Sequence, residues 1–388
     1  MNILIVSAMF PPIRTGTSYY TKNIAQALKN LGHKVTLVTL ENQISNNDKY
    51  NFPVYRLPAT RIPLKNYFKH FRISSIYPDN YSRLHRIAQN CRAEVILLVN
   101  HYLDIAFPTI YVAKKLRLPM VVVVGTQLYS LNPWRDKILN ILDKLICGKL
   151  IFSHCQKIIA LDREIRRYLL DIQGQEVLAK TEIVPYGPNG EIDFYQKYRH
   201  DYSHLNQILG IGSIIEQRNF IFLIYLFRKL LKFYPQLKLK IIGHVYYKVT
   251  PKLVEKLNLT QKVEFTGELA HDQVLTELQK SVFYCGMLSG KYSALGTATI
   301  EAMLMGVPIV TNVPNNLLGK PRLKDMENFI STKGISLEEV FSKLKKLMAN
   351  KRLRQKIGQN GRKFVQKNLN WERVAQQMVE VLYQEISL

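Results

Sequence analysis

The stretch Gly296-Thr297-Ala298-Thr299-Ile300-Glu301-Ala302-Met303-Leu304-Met305-Gly306-Val307-Pro308-Ile309-Val310 constrains this chain more than any other. It reads as a glycine turn, a short helix that begins at once, a glycine stop and a buried strand. Gly296 lets the backbone turn tightly and lie close to another molecule. Thr297 and Thr299 are expected to cap the helix start. The first-turn amides, from Thr297 through Ala298 to Thr299, lack intrahelical partners. The peptide dipole is positive there, so the turn suits a phosphate. Glu301, one turn on, can accept hydrogen bonds from ribose hydroxyls. A nucleotide-diphosphate binder needs these two parts side by side. The same residues also fit an ordinary strand-loop-helix connection with a Glu near the positive helix end.

A chain of 388 residues exceeds one typical core, so two domains are expected. Hydrophobic residues at 47% and charged ones at 21% place it among soluble globular proteins. No apolar run reaches bilayer-spanning length. The opening Met1–Ser7 lacks a basic start and a small-residue cleavage site, and reads as a first strand rather than a signal peptide. Cys91, Cys147, Cys155 and Cys285 are scattered, without metal-ligand spacing or a disulfide framework, which suits a reducing cytoplasm.

Charge is the unusual bulk property. Lys plus Arg is 54 against 29 acids, a net +25, so the surface attracts polyanions: nucleic acid, anionic lipid or phosphorylated substrates. No RNA- or DNA-binding motif accompanies it. Ten bases and no acid lie between Glu339 and Glu372, as on a solvated helix face. From Arg56 to Arg92 eight bases accompany one acid, Asp79, among Tyr67, Phe68, Phe71 and Tyr77. Cations mixed with aromatics suit a membrane surface, so peripheral contact with an anionic inner leaflet is expected through Arg61–Arg72.

Apolar runs alternate with helical periodicity. Ile3–Val6, Lys34–Thr39, Val95–Val99, Met120–Val124, Lys157–Leu161 and Glu182–Val184 read as strands, and Tyr19–Leu31 as a helix stopped by Gly32. Fully apolar strands between helices indicate a parallel sheet covered on both faces. The pattern restarts near residue 205, with strands at Gln207–Ile211, Leu237–Ile242, Val263–Phe265, Ser281–Gly286 and Pro308–Thr311. Helices are expected at Phe220–Tyr234, Pro251–Leu257 and Asp272–Ser281, then at Leu337–Ala349, Lys351–Asn368 and Trp371–Glu385. The fold class is therefore α/β, with two doubly wound Rossmann-like domains at 1–195 and 196–370. A terminal helix, 371–388, returns to the first. Such a pair is expected to hold ligands between its sheets, at the carboxyl ends of the strands.

Other segments supply candidate chemistry. Pro11-Pro12-Ile13-Arg14-Thr15-Gly16-Thr17 is a loop feeding a helix, with backbone amides at the helix start. It is not G-x-G-x-x-G, which argues against a dinucleotide fingerprint. Gly212-Ser213-Ile214-Ile215-Glu216-Gln217-Arg218-Asn219 follows the first strand of the second domain. A guanidinium at a strand's carboxyl end can bind phosphate with two hydrogen bonds. Arg218 and the Gly296 turn are expected to meet in one crevice. His101, after Val95–Val99, could serve as an acid-base group; the plainer reading is a hydrogen-bonded, partly buried histidine. No histidine pair has ligand spacing on one helix, and no metal cluster is expected.

The order of these segments resembles the GT-B glycosyltransferases of family four. The likeness runs from Pro11-Pro12…Gly16…Leu31-Gly32-His33 through Val184-Pro185-Tyr186-Gly187, Ile242-Gly243 and Val263-Glu264-Phe265-Thr266-Gly267. It ends at Gly358…Gly361-Arg362…Trp371-Glu372-Arg373-Val374-Ala375…Tyr383. That resemblance implies transfer of a sugar from a nucleotide-diphosphate donor to a glycan or lipid-linked acceptor, with retention of configuration. It implies no cofactor beyond the donor substrate. It also implies donor-binding positions: Gly16, Ser213, Arg218, Gly267, Ser293, Gly296, Thr297, Ala298, Thr299 and Glu301, with Arg218 and Glu301 catalytic. In that family two Glu separated by seven residues grip the donor; here the second is Glu301 and the first falls on Ser293. The basic pair falls on Ser213 and Arg218, and the glycine pair on Thr15 and Gly16. A donor-contacting histidine falls on Gly125. These departures imply a different donor sugar, a shifted catalytic group, or a catalytically silent relative that binds nucleotide sugar or glycan as a partner subunit.

Overall fold

The computed structural model describes residues 1–13, 15–41, 50–62, 71–102, 104–203 and 206–386. Chain contacts divide it into two units: Met1–Asn189 with Trp371–Leu388, and Gly190–Asn370. The break falls in the Gly187–Gly190 segment, so the 3-10 turn Ile192–Tyr198 belongs to the second unit.

The first unit contains β1 (Asn2–Ser7), β2 (Lys34–Leu40), β3 (Val54–Leu57), β4 (Thr60–Arg61), β5 (Arg72–Ile73), β6 (Val95–Val99), β7 (Met120–Val124), β8 (Lys157–Ala160) and β9 (Thr181–Ile183). Its helices are α1 (Gly16–Asn30), α2 (Pro78–Asn90), α3 (Ala106–Leu116), α4 (Pro133–Asp143), α5 (Arg163–Gln173) and α6 (Gln175–Ala179). Among the described residues a parallel sheet runs β3-β2-β1-β6-β7-β8-β9. Every residue of β6 and β7 is buried, because helices cover both faces of a parallel sheet and leave no solvent side. β4 and β5 form a separate antiparallel ribbon that pairs Arg61 with Arg72.

The second unit contains β10 (Gln207–Ile211), β11 (Lys238–Ile242), β12 (Val263–Gly267), β13 (Phe283–Cys285), β14 (Ile309–Thr311) and β15 (Ile330–Ser331). They form one sheet in the order β12-β11-β10-β13-β14-β15, and the paired strands run parallel. Its helices are α7 (Phe220–Leu231), α8 (Val249–Lys256), α9 (His271–Gln279), α10 (Thr297–Met305), α11 (Leu337–Ala349) and α12 (Lys351–Asn368). The core joins Phe220, Leu223 and Phe227 of α7 to Val340, Leu344 and Leu347 of α11. α13 (Trp371–Ile386) then packs in the first unit, where Trp371 meets Tyr20 edge-on at 5.8 Å and its indole N–H donates to Pro188 O at 2.6 Å.

Both sheets have the strand order of a doubly wound fold. The order reverses between β1 and β6 in the first unit and between β10 and β13 in the second. Ligands of open α/β sheets bind beyond the carboxyl ends of such switch-point strands. The loops after β10 and β13 carry Arg218 and Gly296.

Part of the expected membrane stretch, residues 63–70 with Tyr67 and Phe68, lies outside the described residues, as does Arg14. What is described there is partly engaged within the unit. Arg72 donates to Glu41 O at 2.8 Å, Phe71 stacks on Tyr102 at 6.0 Å, and the Tyr77 and Thr60 hydroxyls are 2.7 Å apart.

Candidate functional site

The loop after β10 is built around two glycines. Gly212 has φ +130°, and a Cβ there would lie 2.9 Å from Cζ of Arg218. The guanidinium therefore occupies the space that any side chain at 212 would take. Gly243, after β11, has φ +142°, and its Cβ would stand 2.2 Å from the Gly212 carbonyl oxygen. Backbone packs on backbone here, and only glycine permits it. Gly212 N donates to Ile242 O at 2.9 Å, and Gly243 N to Gly267 O at 2.8 Å, which ties Gly267 to the same rim. Ser213 O accepts from Ile215 N at 2.9 Å, so this residue serves the loop through its backbone. Ser289 N donates to Gln217 O at 2.7 Å, which fastens the loop after β13 beside Arg218.

α10 begins without a side-chain cap. Gly296 is the N-cap residue at φ 73°, ψ 147°, and the first intrahelical bond runs from Ile300 N to Gly296 O at 3.2 Å. The amides of Thr297, Ala298 and Thr299 precede that bond and carry the positive helix end. The expectation that Thr297 and Thr299 cap this helix is wrong. Both lie inside the helix, past the cap position, and the Thr299 side chain bonds the Tyr284 hydroxyl instead. Burial pushes the Tyr284 pKa up, while Arg218 and Thr299 pull it down and Glu301 adds to the rise. One buried hydroxyl thus lies within electrostatic reach of Arg218 and Glu301 and touches Thr299, which brings these three candidates together. Ser293 is buried in the loop between β13 and α10.

Glu301 is buried, and its Oε1 accepts from Tyr195 Oη and His271 Nε2, each at 3.0 Å. Phe194 stacks on the His271 ring at 6.1 Å with planes 11° apart. The bond to Glu301 raises the His271 pKa, and burial works against it. Tyr195 and His271 were missed by the sequence reading. They stand 106 and 30 residues from Glu301, and no local pattern links them.

The matching helix start in the first unit differs. Thr15 is the N-cap of α1, and its hydroxyl accepts from Ser18 N at 3.2 Å. Asn100 Nδ2 donates to Thr17 Oγ1 at 2.7 Å. Gly16 is the first helical residue. At Gly125 an added Cβ would lie 3.0 Å from Cδ1 of Leu161, so an aliphatic side chain fills the ground beside it.

His101 is not the hydrogen-bonded, partly buried residue expected. It is fully buried, and neither ring nitrogen has a hydrogen-bond partner among the described residues. Asp143 Oδ1 stands 3.8 Å from its Nε2, and Phe152 stacks on the ring at 5.3 Å. Burial lowers its pKa to about 4, against the pull of Asp143. No metal cluster was expected from the sequence; among the described residues, buried His101, Asp143 and Cys147 bring their donor atoms within 4.8 Å of one another, a nitrogen, oxygen and sulfur set of the kind zinc accepts. Sequence spacing hid the trio because His101 comes from the end of β6 and the others from α4 and its continuation.

Two tandem doubly wound sheets, with an arginine and an open helix start at the second unit's switch point, define the class: a GT-B glycosyltransferase. The glycosyltransferase family 4 model matches residues 14–189 and the glycosyl transferases group 1 model residues 194–364. End to end they take in most of the chain, which belongs to this family. An uncharacterized glycosyltransferase of Methanocaldococcus jannaschii is 24% identical over 100% of this chain and 99% of its own. Among solved structures, a glycosyltransferase from Rickettsia africae superposes with TM-score 0.74 at 13% identity, covering 99% of this chain and 98% of that one. Sucrose-phosphate synthase from Thermosynechococcus elongatus gives TM-score 0.73 at 16% identity, covering 99% of both chains. Anabaena HepE, solved in complex with UDP and glucose, gives 0.70 at 14% identity, again covering 99% of both.

Proposed function

We propose that this glycosyltransferase takes a sugar from a nucleotide-diphosphate donor held on its second unit. The sugar passes, with retention of configuration, to a glycan or lipid-linked acceptor. One observation carries the reading: the Arg218 guanidinium lies over Gly212 on one switch-point loop, and the uncapped amides of Thr297–Thr299 open from the other. A diphosphate leaving group gathers charge as the glycosidic bond breaks, and preorganised donors that meet that charge lower the barrier. The HepE complexes with UDP and UDP-glucose are consistent with a uridine donor. Tyr195 and His271 hold Glu301 through Oε1 and leave Oε2 to meet a ribose diol. Ser213, Gly267, Ser293 and Gly296 complete the proposed donor site on the second unit. An acceptor bearing a lipid would bring the basic first unit to the inner leaflet, for which Arg61–Arg72 was the sequence's candidate contact.

Binding of UDP, GDP and ADP to wild type, Arg218→Ala and Glu301→Ala tests the site. Both variants should lose affinity, and affinity equal to wild type in both overturns the assignment. A second reading, a silent partner subunit, draws on Gly125 hemmed by Leu161 and on serine at 293. Saturable nucleotide binding without turnover across many donors and acceptors would favour it.

A further inference from the structure

The least expected surface lies on α4 and the π-helical stretch Lys144–Ile151 that continues it. Soluble helices turn apolar residues inward. This one does the reverse. Trp134, Ile138, Ile141, Leu142, Leu145, Ile146 and Leu150 are all exposed, Trp134 at 77%. Asp143 and Cys147 face inward, buried, and the Tyr168 hydroxyl donates to the Asp143 carboxylate.

Helical geometry makes the apolar set a stripe. At about 100° per residue, Trp134, Ile138, Ile141, Leu142 and Leu145 share one side of the helix. Arg135 flanks it on one edge, Lys137 and Lys144 on the other, and Asp143 stands opposite. Lys149 follows along the π-helical turn, and it is exposed with the other three cations. The exposed positions between Trp134 and Leu150 hold seven large apolar side chains, four cations and no acid. Asp136, the remaining acid of α4, is turned back to accept from Ser130 N at 2.9 Å.

We infer that this face docks on an anionic bilayer surface, with the apolar stripe in the headgroup boundary and the four cations among lipid phosphates. Charge decides the occupant. An apolar stripe framed only by cations, on a chain of net +25, opposes a second copy of itself and fits a negative interface. No helix among the described residues is long and apolar enough to cross a membrane, so the contact proposed here lies in the plane of the surface. The inference rests on the function proposed above only in giving the acceptor a membrane location. It assigns the docking to α4 and its continuation rather than to Arg61–Arg72.

The protein carries its own reporter. Of its two tryptophans, Trp371 is buried and Trp134 is exposed. The full chain is titrated with vesicles of phosphatidylcholine alone, or of three parts phosphatidylcholine to one part phosphatidylglycerol. The expected result is a blue shift of Trp134 emission and co-sedimentation with the anionic vesicles, with partitioning about a hundredfold stronger than onto neutral ones. Replacing Ile138, Ile141 and Leu145 together by Gln should weaken it at least about tenfold. Replacing Lys137, Lys144 and Lys149 by Gln should erase the preference for anionic lipid. All six positions are exposed, and nucleotide binding measured on the same samples shows that each variant is folded. Equal partitioning of wild type and both triple variants, with nucleotide binding intact, overturns this inference and leaves the donor site untouched. A wild-type dimer that the apolar variant dissolves, without vesicle binding, also overturns it in favour of self-association.

Discussion

The two units repeat one topology, yet their switch-point helices begin in opposite ways. α1 starts on Thr15, whose hydroxyl satisfies the Ser18 amide, and Asn100 engages the next threonine. α10 starts on Gly296, which has no side chain to offer, and the loop beside it carries Arg218. The Thr15 hydroxyl settles one orphan amide of α1, whereas no side chain caps α10, and an uncapped helix start near a cation suits an anion supplied from outside. Equivalent positions in a repeated fold thus need not share a role, and the local capping chemistry separates them.

Placing a negative charge at the open start is the strongest way to break the contrast. Gly296→Asp would set a carboxylate beside the α10 amides, on backbone that glycine alone holds without strain, and repel a diphosphate, and nucleotide-diphosphate affinity should fall about a hundredfold by calorimetry. Unchanged affinity would mean that the α10 amides do not hold the ligand.

The next effect concerns protons. His101 sits at a folded-state pKa of about 4 against an ordinary 6.5, because burial disfavours its charged form. The unfolded chain therefore binds that proton first. The first unit keeps the associated stability above about pH 6.5 and loses on the order of 3 kcal/mol as the pH falls towards 4. Both tryptophans lie in the first unit, so tryptophan-detected urea unfolding reads this loss directly. His101→Leu should flatten the acid limb of that profile.

Thr15→Ala removes the α1 cap. It should cost the first unit about 1 kcal/mol in the same fluorescence assay and leave nucleotide affinity as it was. A loss of affinity would erase the distinction between the two helix starts.

The smallest effect has the opposite pH sign. The His271 pKa is raised by its bond to Glu301, so this pair's contribution is full below about pH 6.5 and fades as the pH climbs through the elevated value. Calorimetric unfolding of the second unit should show that decline, and His271→Ala should remove it.

Much of this fold was legible because its determinants are local. Ile3–Val6, Val95–Val99 and Met120–Val124 are continuous apolar runs, and a strand buried on both faces leaves such a mark. β3, half-exposed, and β15, two residues long, leave none. The Gly296 turn and Arg218 could be read from the chain, since a turn glycine and a loop cation have recognisable surroundings. The caps at Thr297 and Thr299 were misread, because Gly296 itself takes the cap position and Tyr284, distant in sequence, engages Thr299. The Glu301 clamp by Tyr195 and His271, the His101–Asp143–Cys147 trio and the inverted face of α4 depend on tertiary packing. They became visible only when the strands and helices were set in place.

A crystal structure of the protein with a bound nucleoside diphosphate tests the central claim most directly. The account predicts the pyrophosphate within hydrogen-bonding distance of the Thr297–Thr299 amides and of Arg218, with the ribose against Glu301. A pyrophosphate at the start of α1, or bound away from Arg218, would contradict it.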